Sequence, residues 1–155
     1  MKELTAQEIM TREVITVPPT ATLREAAQLM AEKQISGMPV VDDAGHLVGI
    51  LTEADILDPD KRHTAIPRTG AFGIFLIPEE QLRRAYDDGL ALTVDKLMTR
   101  KVVTVTPNTP ISELMRLMVV RRINRLPVMD GDRLVGIVTR EDVLRGMLRG
   151  HQSAE

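Results

Sequence analysis

Two short stretches of the chain carry side chains suited to binding phosphate and sugar hydroxyl groups. Each is a Thr-x-x-Asp that directly follows an apolar run: Thr52 with Asp55, and Thr139 with Asp142. A helix that begins at such a threonine offers unbonded N–H groups to a phosphate, and the hydroxyl adds a donor. The aspartate, one turn further on, can accept hydrogen bonds from two vicinal ribose hydroxyls.

The same spacing also has a purely structural interpretation. Thr-x-x-Asp is a helix start signal, with the threonine as N-cap and the carboxylate near the positive end of the helix dipole. A single copy of the pattern favours this capping interpretation over ligand binding. Because both roles can coexist at one helix start, the two interpretations stay open at this point.

The elements that must position these residues form an internal repeat. Residues 6–43 align with 94–131, and residues 45–57 align with 132–144, giving 21 identities in 51 aligned pairs. Two copies of a unit of about 50 residues indicate two similar lobes. We expect the lobes to pack about a pseudo-two-fold axis.

Each copy reads as strand, helix, strand, strand, helix. Residues 14–17 and 102–105 are β-branched runs that predict a first strand. Apolar residues at helical spacing follow, and two apolar runs around a glycine turn predict a hairpin before the last helix. We predict core positions on the helices at Leu23, Ala26, Ala27 and Met30, and at Ile111, Leu114, Met115 and Met118.

Helix ends and exposed positions are also predicted. Thr22 with Glu25 is a capping box, whereas in the second copy Thr109 is the expected cap and Pro110 the first helical residue. Outside the core stripe of that second helix, Leu117, Val119 and Val120 are expected to be exposed unless a partner covers them.

Taken together, these stretches resemble a tandem pair of CBS domains (cystathionine-β-synthase-type), also called a Bateman module. The resemblance is carried by the two Gly-Ile-x-Thr-x-x-Asp stretches, by residues 14–17 and 102–105, and by Ile35-Ser36-Gly37-Met38-Pro39-Val40-Val41-Asp42 and Ile123-Asn124-Arg125-Leu126-Pro127-Val128-Met129-Asp130. It implies an α+β fold. The expected organisation is CBS repeat 1 at 1–57, an insertion at 58–92 with a short helix, CBS repeat 2 at 93–149, and a tail at 150–155.

The resemblance also implies two clefts between the repeats, in which many members of the family bind AMP, ADP, ATP, NAD or S-adenosylmethionine. One repeat supplies the base pocket, and the other supplies the threonine and aspartate. For cleft one, the implied residues are Thr5, Met10, Thr16, Ile35, Ser36, Gly37, Arg125, Thr139, Arg140 and Asp142. For cleft two, the weaker candidate, they are Thr93, Met98, Thr104, Ile123, Asn124, Thr52 and Asp55.

Charge distinguishes the two clefts. Residues 1–93 contain 9 basic and 15 acidic side chains, whereas residues 94–155 contain 11 basic and 7 acidic ones. Arg125 and Arg140 correspond to Gly37 and Glu53 in the first copy. An anionic phosphate should therefore prefer the second copy's Thr-x-x-Asp, which belongs to cleft one.

Composition excludes several other classes of function. The chain has 155 residues, no cysteine, three scattered histidines and a formal net charge of -2. Disulfides, thiolate metal sites and a cysteine nucleophile are thereby excluded, and we expect no metal site and no nucleic-acid partner. No apolar run approaches the about 20 residues that span a bilayer, and no secretory stretch opens the chain, so we expect a cytoplasmic protein with no membrane partner.

The insertion is expected to contain a helix from about Pro78 to Asp87, ended by Gly89, after an apolar run at 70–77. The run is interpreted as a linker packed over the core, with a cleft lid or a dimer contact as alternatives. Arg62, His63 and Arg68 are the residues of the insertion with the charge to reach a phosphate.

The residues show no nucleophile–base pair and no glycine-rich phosphate loop, so an enzyme is not expected. The expected function is regulatory: binding an adenine nucleotide or adenosyl ligand, with no required cofactor, and signalling to an unidentified protein. Homodimerisation is implied by the family resemblance. The alternatives are a ligand-free CBS dimerisation module and, less favoured, nucleic-acid binding through the basic second half.

Overall fold

The computed structural model describes residues 3–57 and 79–153. Within them the fold is mixed helix and strand, with two separate two-stranded sheets. The strands are β1 (Gly37–Val41), β2 (Leu47–Thr52), β3 (Arg125–Asp130) and β4 (Arg133–Thr139). The helices are α1 (Ala6–Ile9), α2 (Leu23–Lys33), α3 (Glu53–Leu57), α4 (Glu79–Leu90), α5 (Ile111–Arg121) and α6 (Arg140–Ser153), with a 3₁₀ turn at Val94–Lys96.

The described residues form two compact units that differ from the boundaries of the sequence repeat. Unit 1 contains residues 3–15, 44–47 and 101–153, and unit 2 contains residues 16–43, 48–57 and 79–100. Each unit therefore combines the helices of one repeat with the segment that opens the other repeat. Alignment finds which residues correspond, but it carries no information on which segments pack together.

In unit 1, the opening segment of the chain is bound to the second repeat by backbone hydrogen bonds. The Ala6 N–H donates to the Thr109 carbonyl at 2.8 Å. Thr11 and Ile137 exchange two bonds, at 2.8 and 3.0 Å. Ala6 is fully buried and Ile9 is 8% exposed, so α1 contributes its apolar side to the core formed by β3, β4, α5 and α6.

Unit 2 repeats this arrangement with the segment near residue 94. The Val94 N–H donates to the Ala21 carbonyl at 2.8 Å, and Ile50 and Thr99 exchange two bonds of 2.9 Å. The segment is anchored by Val94, which is fully buried, and Leu97, which is 1% exposed. The two repeats thus exchange equivalent opening segments.

Glycines at matched positions allow these segments to cross a strand closely. A Cβ atom added at Gly136 would lie 2.8 Å from Cγ of Met10. One added at Gly49 would lie 2.9 Å from Cγ of Met98 and 3.1 Å from the backbone oxygen of Thr99. All three distances are shorter than normal contact, so each methionine packs where a larger residue on β2 or β4 would push it away.

The predicted first strands at 14–17 and 102–105 are wrong as regular strands. Only Val17 and Val105 pair, each through an isolated parallel bridge, to Val40 and Val128. The Val17 N–H donates to the Pro39 carbonyl at 3.1 Å, and Val17 accepts from Val41 at 3.0 Å. Proline supplies no N–H, and Pro19 and Pro39 therefore stop the ladder on either side of Val17.

The hairpins and the first helix start are confirmed. Gly45 and Gly131 turn the two hairpins with φ of +86° and +61°, a backbone conformation that favours glycine. In the second sheet Arg125 pairs with Thr139 and Asp130 with Arg133, with an irregularity between Val128 and Met129. The Thr22 side chain accepts from the Glu25 N–H at 3.2 Å, as a capping box requires.

The second long helix differs from its prediction in three respects. Pro110 is the N-cap rather than the first helical residue, and the Thr109 hydroxyl accepts from the Thr106 N–H at 3.0 Å. Met115 is 36% exposed rather than in the core. Leu117 packs partly buried against the core, whereas Val119 and Val120 are 77% and 62% exposed, as expected.

A helix is confirmed in the insertion, and it continues through Gly89 to Leu90. The apolar run at 70–77, with Arg62, His63 and Arg68, lies outside the described residues. Among the helices that are described, none has both the length and the apolar character needed to cross a membrane.

The exchange of opening segments predicts that Ile9→Ala destabilises unit 1. Removing most of a buried isoleucine costs about 2–5 kcal/mol, because contacts are lost and a cavity remains. Urea denaturation should show this loss, and amide exchange should accelerate more at Ile137 than at Ile50. Gln7→Ala, an exposed neighbour on the same helix, is the control and should stay within about 0.5 kcal/mol of wild type. A loss below 1 kcal/mol for Ile9→Ala would contradict the packing of α1 in unit 1.

Candidate functional site

The second Thr-x-x-Asp lies where β4 passes into α6, in unit 1. The Thr139 N–H donates to Oδ2 of Asp142 at 3.0 Å, and the Asp142 N–H donates to the Thr139 hydroxyl at 3.3 Å. Asp142 is only 3% exposed although it is charged. The capping interpretation is therefore correct for this motif, because at the start of α6 the side chains of the threonine and the aspartate each accept a hydrogen bond from the other's backbone N–H.

The first Thr-x-x-Asp forms the same local structure where β2 passes into α3, in unit 2. The Thr52 N–H donates to Oδ2 of Asp55 at 3.0 Å, and the Thr52 hydroxyl donates to the same oxygen at 3.2 Å. Asp55 is 6% exposed. The two motifs are thus alike in backbone position, burial and capping.

Each carboxylate also binds a threonine of the exchanged segment. The Thr11 hydroxyl donates to Asp142 at 3.3 and 3.4 Å, across 131 residues of sequence. The Thr99 hydroxyl donates to Oδ1 of Asp55 at 3.2 Å. Thr11 and Thr99 occupy matched positions in the repeat. We call this pairing of a buried aspartate with a threonine of the exchanged segment the clasp.

Sequence reasoning missed Arg145, which makes an ion pair with Asp142. One terminal guanidinium nitrogen donates to Oδ1 of Asp142 at 2.5 Å, and the other lies 3.9 Å from Glu141. The Arg145 side chain is 64% exposed, so it extends back from the surface to a buried carboxylate. Two signals in the sequence point to it: its position three residues after Asp142, one helical turn on, and the Asp58 at the matched position of the first copy.

Further cleft-one residues in unit 1 have their own local roles. Thr5 precedes α1, and its N–H donates to the Glu8 carboxylate at 3.0 Å. Met10 packs over Gly136. Arg125 begins β3 and is half-buried, and the Arg140 N–H donates to the Asn124 carbonyl at 3.1 Å.

The remaining cleft-one residues belong to unit 2. Thr16 is exposed, Ile35 and Ser36 are half-buried, and Gly37 is buried as the first residue of β1. The Ile35 N–H donates to the Met30 carbonyl at 3.0 Å, and the Ser36 carbonyl accepts from the Glu53 N–H at 2.9 Å. These bonds hold the loop from α2 into β1 against the start of α3.

Cleft two divides in the same way. Thr52, Asp55, Thr93 and Met98 lie in unit 2, whereas Thr104, Ile123 and Asn124 lie in unit 1. Thr93 caps the 3₁₀ turn and donates to the Asp95 carboxylate, and Met98 packs over Gly49. Asn124 contacts Arg140, which was assigned to cleft one, through a bond of 3.5 Å from the guanidinium to the amide oxygen.

Within residues 3–57 and 79–153, no cluster of three His, Asp or Glu side chains has the geometry to hold a metal ion. The chemistry that the motifs offer is hydrogen bonding. Each places a carboxylate and a hydroxyl within one turn at a helix start, and these are groups that can hydrogen-bond a sugar with an attached phosphate.

Comparison with known proteins places these features in a family. The model of the CBS domain matches residues 6–60 and 94–149. Inosine-5'-monophosphate dehydrogenase of Methanocaldococcus jannaschii is 33% identical over 141 residues, covering 90% of this chain and 23% of the relative. The chloroplastic CBS domain-containing protein CBSX2 of Arabidopsis thaliana is 30% identical over 148 residues, covering 90% of this chain and 60% of the relative. The chain thus spans less than two thirds of either relative.

Solved structures agree with this result. CBSX2 in complex with AMP superposes with a TM-score of 0.73 at 28% identity, covering 96% of this chain and 98% of that one. The CBS domain pair of protein MJ0100, in complex with 5′-methylthioadenosine and S-adenosyl-L-methionine, gives a TM-score of 0.69 at 26% identity, with 97% and 99% covered. With two matches that together span most of its length, the chain belongs to the CBS domain family as a tandem CBS pair.

Proposed function

We propose that this chain is a regulatory module that binds an adenine nucleotide or adenosyl ligand and transmits the bound state to another protein. The observation that carries the proposal is the duplicated Thr-x-x-Asp at the start of α3 and α6, in a chain whose structural relatives include complexes with adenosine-based ligands. A regulatory rather than catalytic role, in the cytoplasm, is part of the proposal.

Unit 1 is the proposed polar end of the preferred site. Asp142 accepts the ribose hydroxyls, the Thr139 hydroxyl donates to the phosphate, and Arg125 and Arg140 add positive charge. For the adenine base, the family resemblance implies contacts with Ile35, Ser36, Gly37, Thr16, Thr5 and Met10. None of these residues is aromatic, so adenine would be held by aliphatic contacts and backbone hydrogen bonds.

The clasp gives this module a physical route for signalling. Asp142 binds groups of α6 and Thr11 of the opening segment at the same time. A ribose that bonds to this carboxylate competes with Thr11, and it thereby alters how firmly the opening segment is held on unit 1. A ligand shifts an equilibrium only through such differential contacts.

The alternative is a CBS module that only dimerises. It is distinguished by thermal melting with AMP, ATP, NAD and S-adenosylmethionine in turn. The sensor proposal predicts that at least one of them raises Tm by several degrees, because ligand at about 100 times its Kd adds ~2.7 kcal/mol. GMP is the control for non-specific phosphate binding. No shift with any of the four would favour the ligand-free module.

The preference for the unit 1 site predicts that Asp142 contributes more to AMP binding than Asp55 does. Asp142→Asn should weaken AMP binding at least tenfold, since the neutral amide accepts ribose hydroxyls poorly, whereas Asp55→Asn should change it less than threefold. The second variant is a matched control, because both aspartates are buried, capping and bonded to a clasp threonine. Calorimetric titration measures both. Equal losses, or the reverse order, would contradict the ranking of the two sites.

We also propose that the chain forms a homodimer through the exposed face of α5 and α6. Six apolar side chains on these helices are 36% to 77% exposed: Met115, Val119, Val120, Leu144, Met147 and Leu148. Met115, Val119, Leu144 and Met147 line one groove of 470 Å³, with Arg122 and Arg140 at its polar part. An exposed face of this composition is typical of a protein–protein interface.

The dimer proposal predicts that Val119→Glu converts a dimer into a monomer, because a charge in the apolar face must lose its water on association. Sedimentation velocity of the full chain at tens of micromolar should show the change. Asn108→Glu, at an exposed turn of the same unit, is the control and should remain dimeric. A monomeric wild type, or a Val119→Glu variant that stays dimeric, would show that this face is not the interface.

A further inference from the structure

Arg145 makes an ion pair with the buried carboxylate of Asp142. Its guanidinium contacts Asp142 through one terminal nitrogen, and 64% of the side chain is exposed. A guanidinium has five N–H donors in a fixed fork, so bonding to Asp142 leaves further donors at the surface. Positive charge is therefore fixed beside the carboxylate proposed to bind the ribose.

The two copies of the motif differ in charge on the helix that follows it. In the second copy, Arg140 comes directly after Thr139, and Arg145 follows Asp142 by three residues. The matched residues of the first copy are Glu53 and Asp58. Two positive charges are replaced by two negative ones, although the threonine, the aspartate and the capping bonds are the same.

We infer that Arg145 determines the charge of the ligand that unit 1 accepts, and that it selects adenosine carrying an anionic 5′ group over neutral or cationic adenosine derivatives. This inference rests on the proposed function, and it assigns a specificity role to a residue outside the Thr-x-x-Asp pattern.

The discrimination depends on the part of the ligand in which the three types differ. AMP, 5′-methylthioadenosine and S-adenosylmethionine all present the same ribose diol, so an aspartate that binds the diol cannot distinguish them. They differ at the 5′ substituent, which is an anionic phosphate, a neutral thioether, or a sulfonium with a zwitterionic amino acid group and a net positive charge. Charge-assisted hydrogen bonds from a guanidinium favour the phosphate, and repulsion disfavours the sulfonium.

Arg145 also compensates the buried charge of Asp142, so its removal has two separable effects. Loss of the ion pair would disturb Asp142 and lower the affinity for every ligand with the diol by the same factor. Loss of the charge selection would lower the affinity for AMP alone. The ratio of the AMP affinity to the adenosine affinity isolates the second effect, since adenosine has the same base and the same diol.

The test is calorimetric titration of the full chain with AMP, adenosine and S-adenosylmethionine at fixed ionic strength. The wild type is expected to bind AMP at least tenfold more tightly than adenosine, and S-adenosylmethionine more weakly than adenosine. Arg145→Gln should lower the AMP-to-adenosine ratio at least fivefold, and Arg145→Lys should retain most of it. Arg116→Gln is the matched control, because Arg116 makes an ion pair of the same i,i+3 spacing with Glu113 on α5, and it should leave the ratio unchanged.

The outcomes separate this inference from the proposed function. Wild-type binding of adenosine or S-adenosylmethionine as tight as that of AMP would overturn the role of Arg145 while leaving a ligand-sensing module. An unchanged ratio in Arg145→Gln, with both ligands weakened equally, would assign Arg145 to positioning Asp142 and overturn charge selection. Absence of binding of all three ligands to the wild type would overturn this inference, and the proposed function would fall with it only if ATP and NAD also gave no melting shift.

Discussion

The structure of each unit depends on one carboxylate that is removed from water. Asp142 and Asp55 are 3% and 6% exposed, and an ionised group in such a place is stable only when donors surround it. For Asp142 the donors are the Thr139 N–H, the Thr11 hydroxyl and the Arg145 guanidinium. These groups come from the helix start, from the opening segment and from the next helical turn. The carboxylate thereby fixes where α6 begins and which segment lies against it.

This constraint links the duplication to the proposed sensing of a ligand. Each repeat supplies a capping Thr-x-x-Asp to one unit and a clasp threonine to the other, and a close glycine–methionine contact accompanies each clasp. The buried aspartate already accepts hydrogen bonds from the protein's own donors, so a ligand can bind to it only in competition with them. Such competition is what a sensor requires, since binding is then coupled to the packing of another segment.

Much of the local structure was predictable from the sequence, because it depends on neighbouring residues. The turns at Gly45 and Gly131, the helix start at Thr22 and the Thr-x-x-Asp motifs are local signals, and the structure confirms them. The strands at 14–17 and 102–105 failed because the prolines of partner segments limit the pairing, which propensity alone does not record. The exposure of Met115 depends on how helices pack, which periodicity does not record. The ion pair of Arg145 is local to α6, and its i,i+3 spacing from Asp142 was a signal that the sequence analysis did not use.

An adenine ligand is proposed to bind at the start of α6 in preference to the start of α3. The decisive measurement is a titration of the full chain with AMP, followed by backbone amide chemical shifts. We expect saturable shifts at residues 139–142 and 35–37, a shift at Thr11 as its bond to Asp142 is altered, and smaller shifts at residues 52–55. Shifts confined to residues 52–55, or no saturable change in any of these segments, would contradict it.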